Sequence, residues 1–186
     1  MTPAPSLEDR IARVEAHLAI QQLPIRYALA VDGRDLDTWV SLFIPDVDCG
    51  RWGHGRDALH RFIEPLVRQF YRSIHQICGH RIELTGDDTA TGAVYCRAEH
   101  EDRGKWVVMA ICYFDEYERV DGEWFFKRRR ERHWYSTDVL ERPHAPTFQH
   151  WDNHESDHPT LPHAFPTWSP FWSVDPDHPS VLSEAP

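Results

Sequence analysis

The sequence predicts an α+β fold, with helices first and an antiparallel sheet after them. Three observations predict it. Helical apolar spacing with capping residues runs to about residue 70, a period of two takes over at Ser73, and turn residues separate four long alternating runs. At 186 residues the chain has room for one compact domain and an appendage.

Residues 6–32 read as helix. Ser6 is the candidate N-cap, and Glu8 and Asp9 suit the positive end of the dipole. Ile11, Val14, Leu18 and the run Ile20 to Leu23 supply the apolar spacing. Pro24 removes one hydrogen bond at a cost of ~3 kcal/mol, which predicts a kink, or two helices with Pro24 near the start of the second. Gly33 is the candidate residue closing the helix. Asp35 caps a short helix through Phe43, ended by Pro45. Asp46 to Trp52 reads as a first short strand, broken by Gly53 and Gly55. Asp57 opens an amphipathic helix with Leu59, Phe62, Ile63, Leu66, Val67 and Phe70 on its apolar side.

The alternating runs lie near 73–85, 89–103, 105–119 and 123–136. Gly86-Asp87-Asp88, Asp102-Arg103-Gly104 and Asp121-Gly122 between them are hairpin signals. After Val139 the composition shifts. Nine of the 14 prolines and six of the 13 histidines fall between Glu141 and Pro186, so 141–186 reads as an irregular Pro/His/Trp-rich extension to a domain spanning 6–140. Its aromatics, Trp168, Phe171 and Trp172 among them, are costly to leave in water. Part of it is expected to pack on the domain or on a neighbouring subunit.

A formal net charge of −10 argues against nucleic acid as a partner. The one basic run, Lys127 to Arg132, falls in a strand-like segment whose alternate residues face opposite sides, so it forms no continuous patch. Cys49, Cys78, Cys96 and Cys112 are far apart and read as buried free thiols. No signal-peptide pattern or 18-residue apolar stretch is visible, and a cytoplasmic protein with no membrane partner is expected. In the tail, His150, His154, His158 and His163 stand among Asp152 and Asp157, but Pro159 and Pro162 break any helix that would present them together. No structural-zinc spacing is present, so no metal is expected.

Ala90, Gly92, Val94, Cys96, Ala98 and His100 share one face of the second run. Small residues there leave space that ends at His100. His75 lies on the face that holds Ser73 and Ile77. An imidazole at a concave apolar site can act as a general base, and a core histidine satisfied by a backbone carbonyl is the competing reading. Asp32 ends an apolar helical segment, where the dipole disfavours a carboxylate; a local cap beside Gly33 is its competing role. Tyr27 is five residues earlier, about 140° around an ideal helix, so the two converge only if the helix ends or distorts between them.

The stretch Ile20 to Asp35, the segment Leu42-Phe43-Ile44-Pro45-Asp46, the strand start Ser73-Ile74-His75, and the hairpin Tyr113 to Trp124 together resemble SnoaL-like proteins of the nuclear transport factor 2-like superfamily. The resemblance implies a cone-shaped curved antiparallel sheet wrapped around N-terminal helices. Within the family the chain resembles the scytalone dehydratase, lindane dehydrochlorinase and bile-acid 7α-dehydratase groups, which use an Asp–His pair for elimination. By position, Asp32 and His75 match that pair and Tyr27 matches a pocket tyrosine. Arg129 and His133 fall where members carry a pocket arginine and histidine. A second acidic position of the bile-acid enzymes falls on Ala98, with His100 on the same face two residues later. The lysine of the dehydrochlorinases is replaced by Tyr27.

The resemblance therefore implies Asp32, His75 and Tyr27 as catalytic residues and His100, Arg129 and His133 as substrate-binding ones. It implies a cofactor-independent dehydratase acting on a hydrophobic ring compound of steroid, polyketide or aromatic type, assembled as a homodimer or trimer. An isomerase or cyclase of ketosteroid-isomerase type using the same base, and a non-catalytic small-molecule or partner-binding domain, remain open.

Overall fold

The computed structural model describes residues 4–141 and 161–174. The chain forms α1 (Leu7–Asp32), α2 (Leu36–Ser41), a 3-10 turn (Gly50–Trp52) and α3 (Arg56–Val67). Then come β1 (Ser73–Leu84), β2 (Thr89–Asp102), β3 (Lys105–Val120) and β4 (Glu123–Asp138), followed by two helical turns, α4 (Leu161–Ala164) and α5 (Trp168–Trp172). The strands pair in sequence order, each antiparallel to the next. α1 packs against both edge strands, β1 and β4, so the sheet must curl around it. The expected helices-then-sheet α+β architecture is the one observed.

At the start of α1 the Ser6 hydroxyl accepts the Asp9 N–H at 3.1 Å, and the Asp9 carboxylate accepts the Ser6 N–H at 3.0 Å, a reciprocal capping box. The helix passes through Pro24 unbroken, where a kink or two helices were expected. The proline ring is fully buried beside Ile20 and Leu23, and that packing offsets the missing hydrogen bond. The helix face also differs from expectation. Ile11, Val14 and Leu18 are 50%, 59% and 57% exposed, while Ala16, Ile20, Leu23, Tyr27, Ala30 and Val31 face the core. Apolar residues on both sides of α1 leave spacing alone unable to choose between them.

Gly33 closes α1 with its N–H on the Leu29 carbonyl, in a right-handed conformation (φ −76°); the left-handed turn falls on Arg34 (φ 60°). Asp35 caps α2 through the Thr38 N–H at 3.0 Å. Residues Asp46 to Trp52 form no strand. Gly50, Gly53 and Gly55 all take positive φ (58°, 97° and 86°), and the chain curls through the 3-10 turn with a single Asp48–His54 bridge. Beyond α2, Ile44 and Leu42 exchange backbone hydrogen bonds with Phe126 at 3.0 and 2.9 Å, covering that edge of β4.

The small residues of β2 do not line a void. Val94, Cys96 and Ala98 pack against Val107, Met109, Ile111 and Tyr113 of β3. Beside Gly92 the space is taken by Tyr117 and His80, since a Cβ there would sit 3.0 Å from both. All four cysteines are free. Cys96 and Cys112 are buried, which pushes their thiols up to about 12 and about 11, but Cys78 is exposed at the β1 bulge.

In the C-terminal extension, irregular chain was expected, and 161–174 instead form α4 and α5. Each has a proline in its first turn, where the missing N–H has no intrahelical partner. Leu161 is fully buried. The Phe165 ring stacks 6.2 Å from Phe114 and 6.1 Å from Trp134, and Trp168 lies 5.7 Å from Trp134. No described helix is long and apolar enough to cross a membrane.

Candidate active site

Asp32 is the last residue of α1, and its carboxylate turns onto the start of β1. Oδ1 accepts the Ser73 hydroxyl at 3.0 Å and meets His75 Nδ1 at 2.7 Å, while Oδ2 accepts the His75 backbone N–H at 2.8 Å. Behind it, Arg34 Nη1 donates to Ser73 Oγ and to the Val31 carbonyl, both at 2.7 Å. The left-handed backbone at Arg34 thus returns its guanidinium over the end of α1, adding a second donor to the Val31 carbonyl and fixing Ser73. Burial pushes the Asp32 carboxyl up. The His75 side-chain bond and charge, the His75 N–H and the Ser73 hydroxyl outweigh it and hold Asp32 below its ordinary value. An ionised Asp32 keeps the proton of neutral His75 on Nδ1, and Nε2 takes no hydrogen bond from the described residues.

The Tyr27 ring lies edge-on to His75, 6.3 Å between centroids. The helix need not distort between Tyr27 and Asp32, because Asp32 reaches out from the helix end and His75 fills the interval. Burial raises the Tyr27 hydroxyl to about 12, against the opposing charge of Arg129, so it stays a donor at neutral pH. His100, cross-strand from Ser73, stands 5.4 Å from the His75 ring and 4.4 Å from the Phe70 ring.

Arg129 is buried and bonds Asp115 through two parallel contacts, Nε–Oδ1 at 2.8 Å and Nη2–Oδ2 at 2.7 Å. Its guanidinium carbon lies 4.4 Å from the Tyr27 ring centroid, 4.1 Å from that of Tyr113 and 4.3 Å from that of Phe126. Burial opposes its charge, but Asp115 more than restores it and Arg129 stays protonated. Its Nη1 is buried without a hydrogen-bond partner among the described residues. Asp115 Oδ2 also accepts the Tyr117 hydroxyl at 2.8 Å, and that hydroxyl lies 2.9 Å from His80 Nε2.

His133 is buried with both ring nitrogens engaged, Nε2 with Glu131 at 2.5 Å and Nδ1 with Ser136 at 3.0 Å. Glu131 is a site residue that the sequence reading missed. Arg129 and His133 were both placed inward, and on a strand of period two the residue between them shares their face. That parity was the signal.

A cavity of about 410 Å³ opens among these residues, lined by Tyr27, Trp39, Phe43, Tyr113, Arg129 and Glu131, with Asp48, Lys127 and Arg128 also on its wall. The Glu131 side chain is 42% exposed and stands on the cavity wall. The cavity lining stops at Tyr27. Asp32, His75, His100 and His133 are not part of it, and Tyr27 is the side chain shared by cavity and pair. Among the described residues no three His, Cys, Asp or Glu side chains gather as a metal site. His150, His154, His158, Asp152 and Asp157 lie outside those residues, as does the His163 side chain.

A curved antiparallel sheet wrapped on N-terminal helices is the nuclear transport factor 2-like fold. Within it, residues 12–130 match the SnoaL-like domain, and the chain belongs to that family. Among solved structures it is similar to a type 2 hexachlorocyclohexane dehydrochlorinase, at 25% identity over 74% of this chain and 98% of that one (TM-score 0.63). It is also similar to the type 3 dehydrochlorinase of Novosphingobium barchaimii LL02, at 24% identity over 72% and 96% (TM-score 0.63). A candidate scytalone dehydratase of Novosphingobium aromaticivorans shares 24% identity over 72% and 93% (TM-score 0.62). No curated protein matches the chain.

Proposed function

We propose that this protein is a cofactor-independent lyase that eliminates water from a hydrophobic ring compound of steroid, polyketide or aromatic type, with His75 as base and Asp32 as its orienting partner. The observation that carries the reading is the 2.7 Å contact between His75 Nδ1 and Asp32 Oδ1, with the same carboxylate pinned by the His75 backbone N–H. The dehydrochlorinase and dehydratase names of the similar structures support an elimination.

His75 Nε2 takes a proton from the carbon beside an activating carbonyl. The C–H pair becomes the new C=C bond as the C–O bond breaks, and the departing hydroxide receives the proton from the imidazolium and leaves as water. Asp32 stabilises the imidazolium. Tyr27, still protonated, donates to the carbonyl oxygen or to the departing hydroxyl, with the Arg129 charge against its ring. His100 braces the far side of the His75 ring, and His133 acts through Glu131. A second copy of the chain completes a homo-oligomer in this reading, as a dimer or trimer.

The test is a panel of ring β-hydroxyketones, read by the ultraviolet band of the conjugated enone and by product mass. Turnover with loss of water, falling about 10²–10⁴-fold in His75→Ala, is expected. A product of unchanged mass would make the protein an isomerase using the same base. No turnover across the panel, or full turnover in His75→Ala, would overturn the lyase reading.

A further inference from the structure

Two polar groups in the cavity point to its ligand, and both come from one face of β4. Arg129 lines the cavity, with its Nη1 buried and without a hydrogen-bond partner among the described residues, and Glu131, two residues along the strand, stands on the cavity wall with its side chain 42% exposed. The two positions are about 6.6–6.8 Å apart along the strand. Glu131 is fixed in place, because His133 holds it and Ser136 holds His133. The remaining walls are largely aromatic or aliphatic: Tyr27, Trp39, Phe43, Leu59, Ile63 and Tyr113.

From this arrangement we infer that Glu131 selects the ligand. It accepts a hydrogen bond from a hydroxyl on a ring compound seated against the aromatic wall of the cavity, and it excludes ring carboxylates. The inference rests on the reading of this cavity as the substrate pocket.

A carboxylate ligand would meet the like charge of Glu131, and two of the three cations on the cavity wall are already paired. The Arg129 charge is already answered by two bonds to Asp115. At the rim, Lys127 is paired with Glu118 at 2.7 Å and Asp48 adds another negative charge. Arg128 is exposed, where solvent and salt screen it. Burial raises the Glu131 carboxyl, but the hydrogen bond from His133 and the His133 charge bring it below its ordinary value. It therefore meets a ligand as an acceptor, not a donor.

The probes are 6-hydroxy-1-tetralone, its methyl ether and the matching 6-carboxylate, titrated by calorimetry into His75→Ala protein so that no turnover intervenes. The hydroxyl compound is expected to bind at least about tenfold more tightly than the ether, as a hydrogen bond to a charged group provides, with the carboxylate weaker still. In a second protein, His75→Ala with Glu131→Gln, the order should collapse to within about threefold. Carboxylate binding as tight as the hydroxyl compound, or an unchanged order in the Gln protein at an unchanged melting temperature, would overturn the inference alone. If Glu131→Gln fails to fold, the ranking of the three probes on the first protein decides the matter. Failure of all three to bind would overturn the pocket reading and the inference with it.

Discussion

His80 is half-buried and faces Tyr117, Asp115 and Arg129, and the cost of charging it inside the fold has a consequence in acid. Burial lowers its pKa to about 4, with Asp115 opposing and Arg129 reinforcing that shift. The unfolded chain takes up this proton near 6.5 and the folded chain only near 4. Stability from this group is therefore complete above about pH 6.5 and falls as the pH drops toward 4. A His80→Gln variant should show a shallower fall in melting temperature across that window, and an identical slope would contradict the assignment. Below it, Asp32 and Glu131, both held below their ordinary values, add their own losses as they protonate. At this scale the sequence was only partly legible. Asp32 and His75 were chosen by resemblance, since nothing local says that a carboxylate ending one helix reaches a strand 43 residues later. Glu131 was legible by parity with Arg129 and His133. Asp115 was not, because its place depends on finding Arg129 directly across from it on β4.

Among the elements, the long alternating runs were read to within two residues, because period-two patterning and turn residues are local properties of the chain. The bulges were not legible. Strand β4 slips register against β3 near Glu116/Tyr117 and again near Ala110/Ile111, and those slips set the stretch that carries Arg129, Glu131 and His133 inward. The small residues of β2 were read as lining space, but which side chains fill it is settled by the neighbouring strand. Gly92 makes this measurable. An added Cβ would lie 2.9 Å from the Arg81 carbonyl oxygen and 3.0 Å from both His80 Nε2 and Tyr117 Cε2, while at Gly79 it would meet nothing within 4 Å. Gly92→Ala should cost about 1–3 kcal/mol of unfolding free energy and Gly79→Ala within about 0.5 kcal/mol. Equal costs by denaturant titration would contradict the packing described.

At the scale of the whole molecule, one carboxylate joins the two halves of the fold. Asp32 fastens the end of α1 to the first turns of β1, and Arg34 locks the joint from behind through Ser73 and the carbonyls of Phe70 and Tyr71. Tyr27 links this joint to the cavity, lining it and lying edge-on to His75. Fold class was legible because helices and strands are segregated along the chain. The helical turns within 161–174 were not, since proline-rich composition hides first-turn prolines that a short helix tolerates. The measurement that bears most directly on the central claim is the tautomer of His75, read by long-range proton–nitrogen correlation in labelled protein at neutral pH. A proton on Nδ1, shifted downfield by Asp32 and lost from that position in Asp32→Asn, with a bare Nε2, is the predicted result. A proton resident on Nε2 would contradict the account, for His75 would then have no lone pair to offer a substrate.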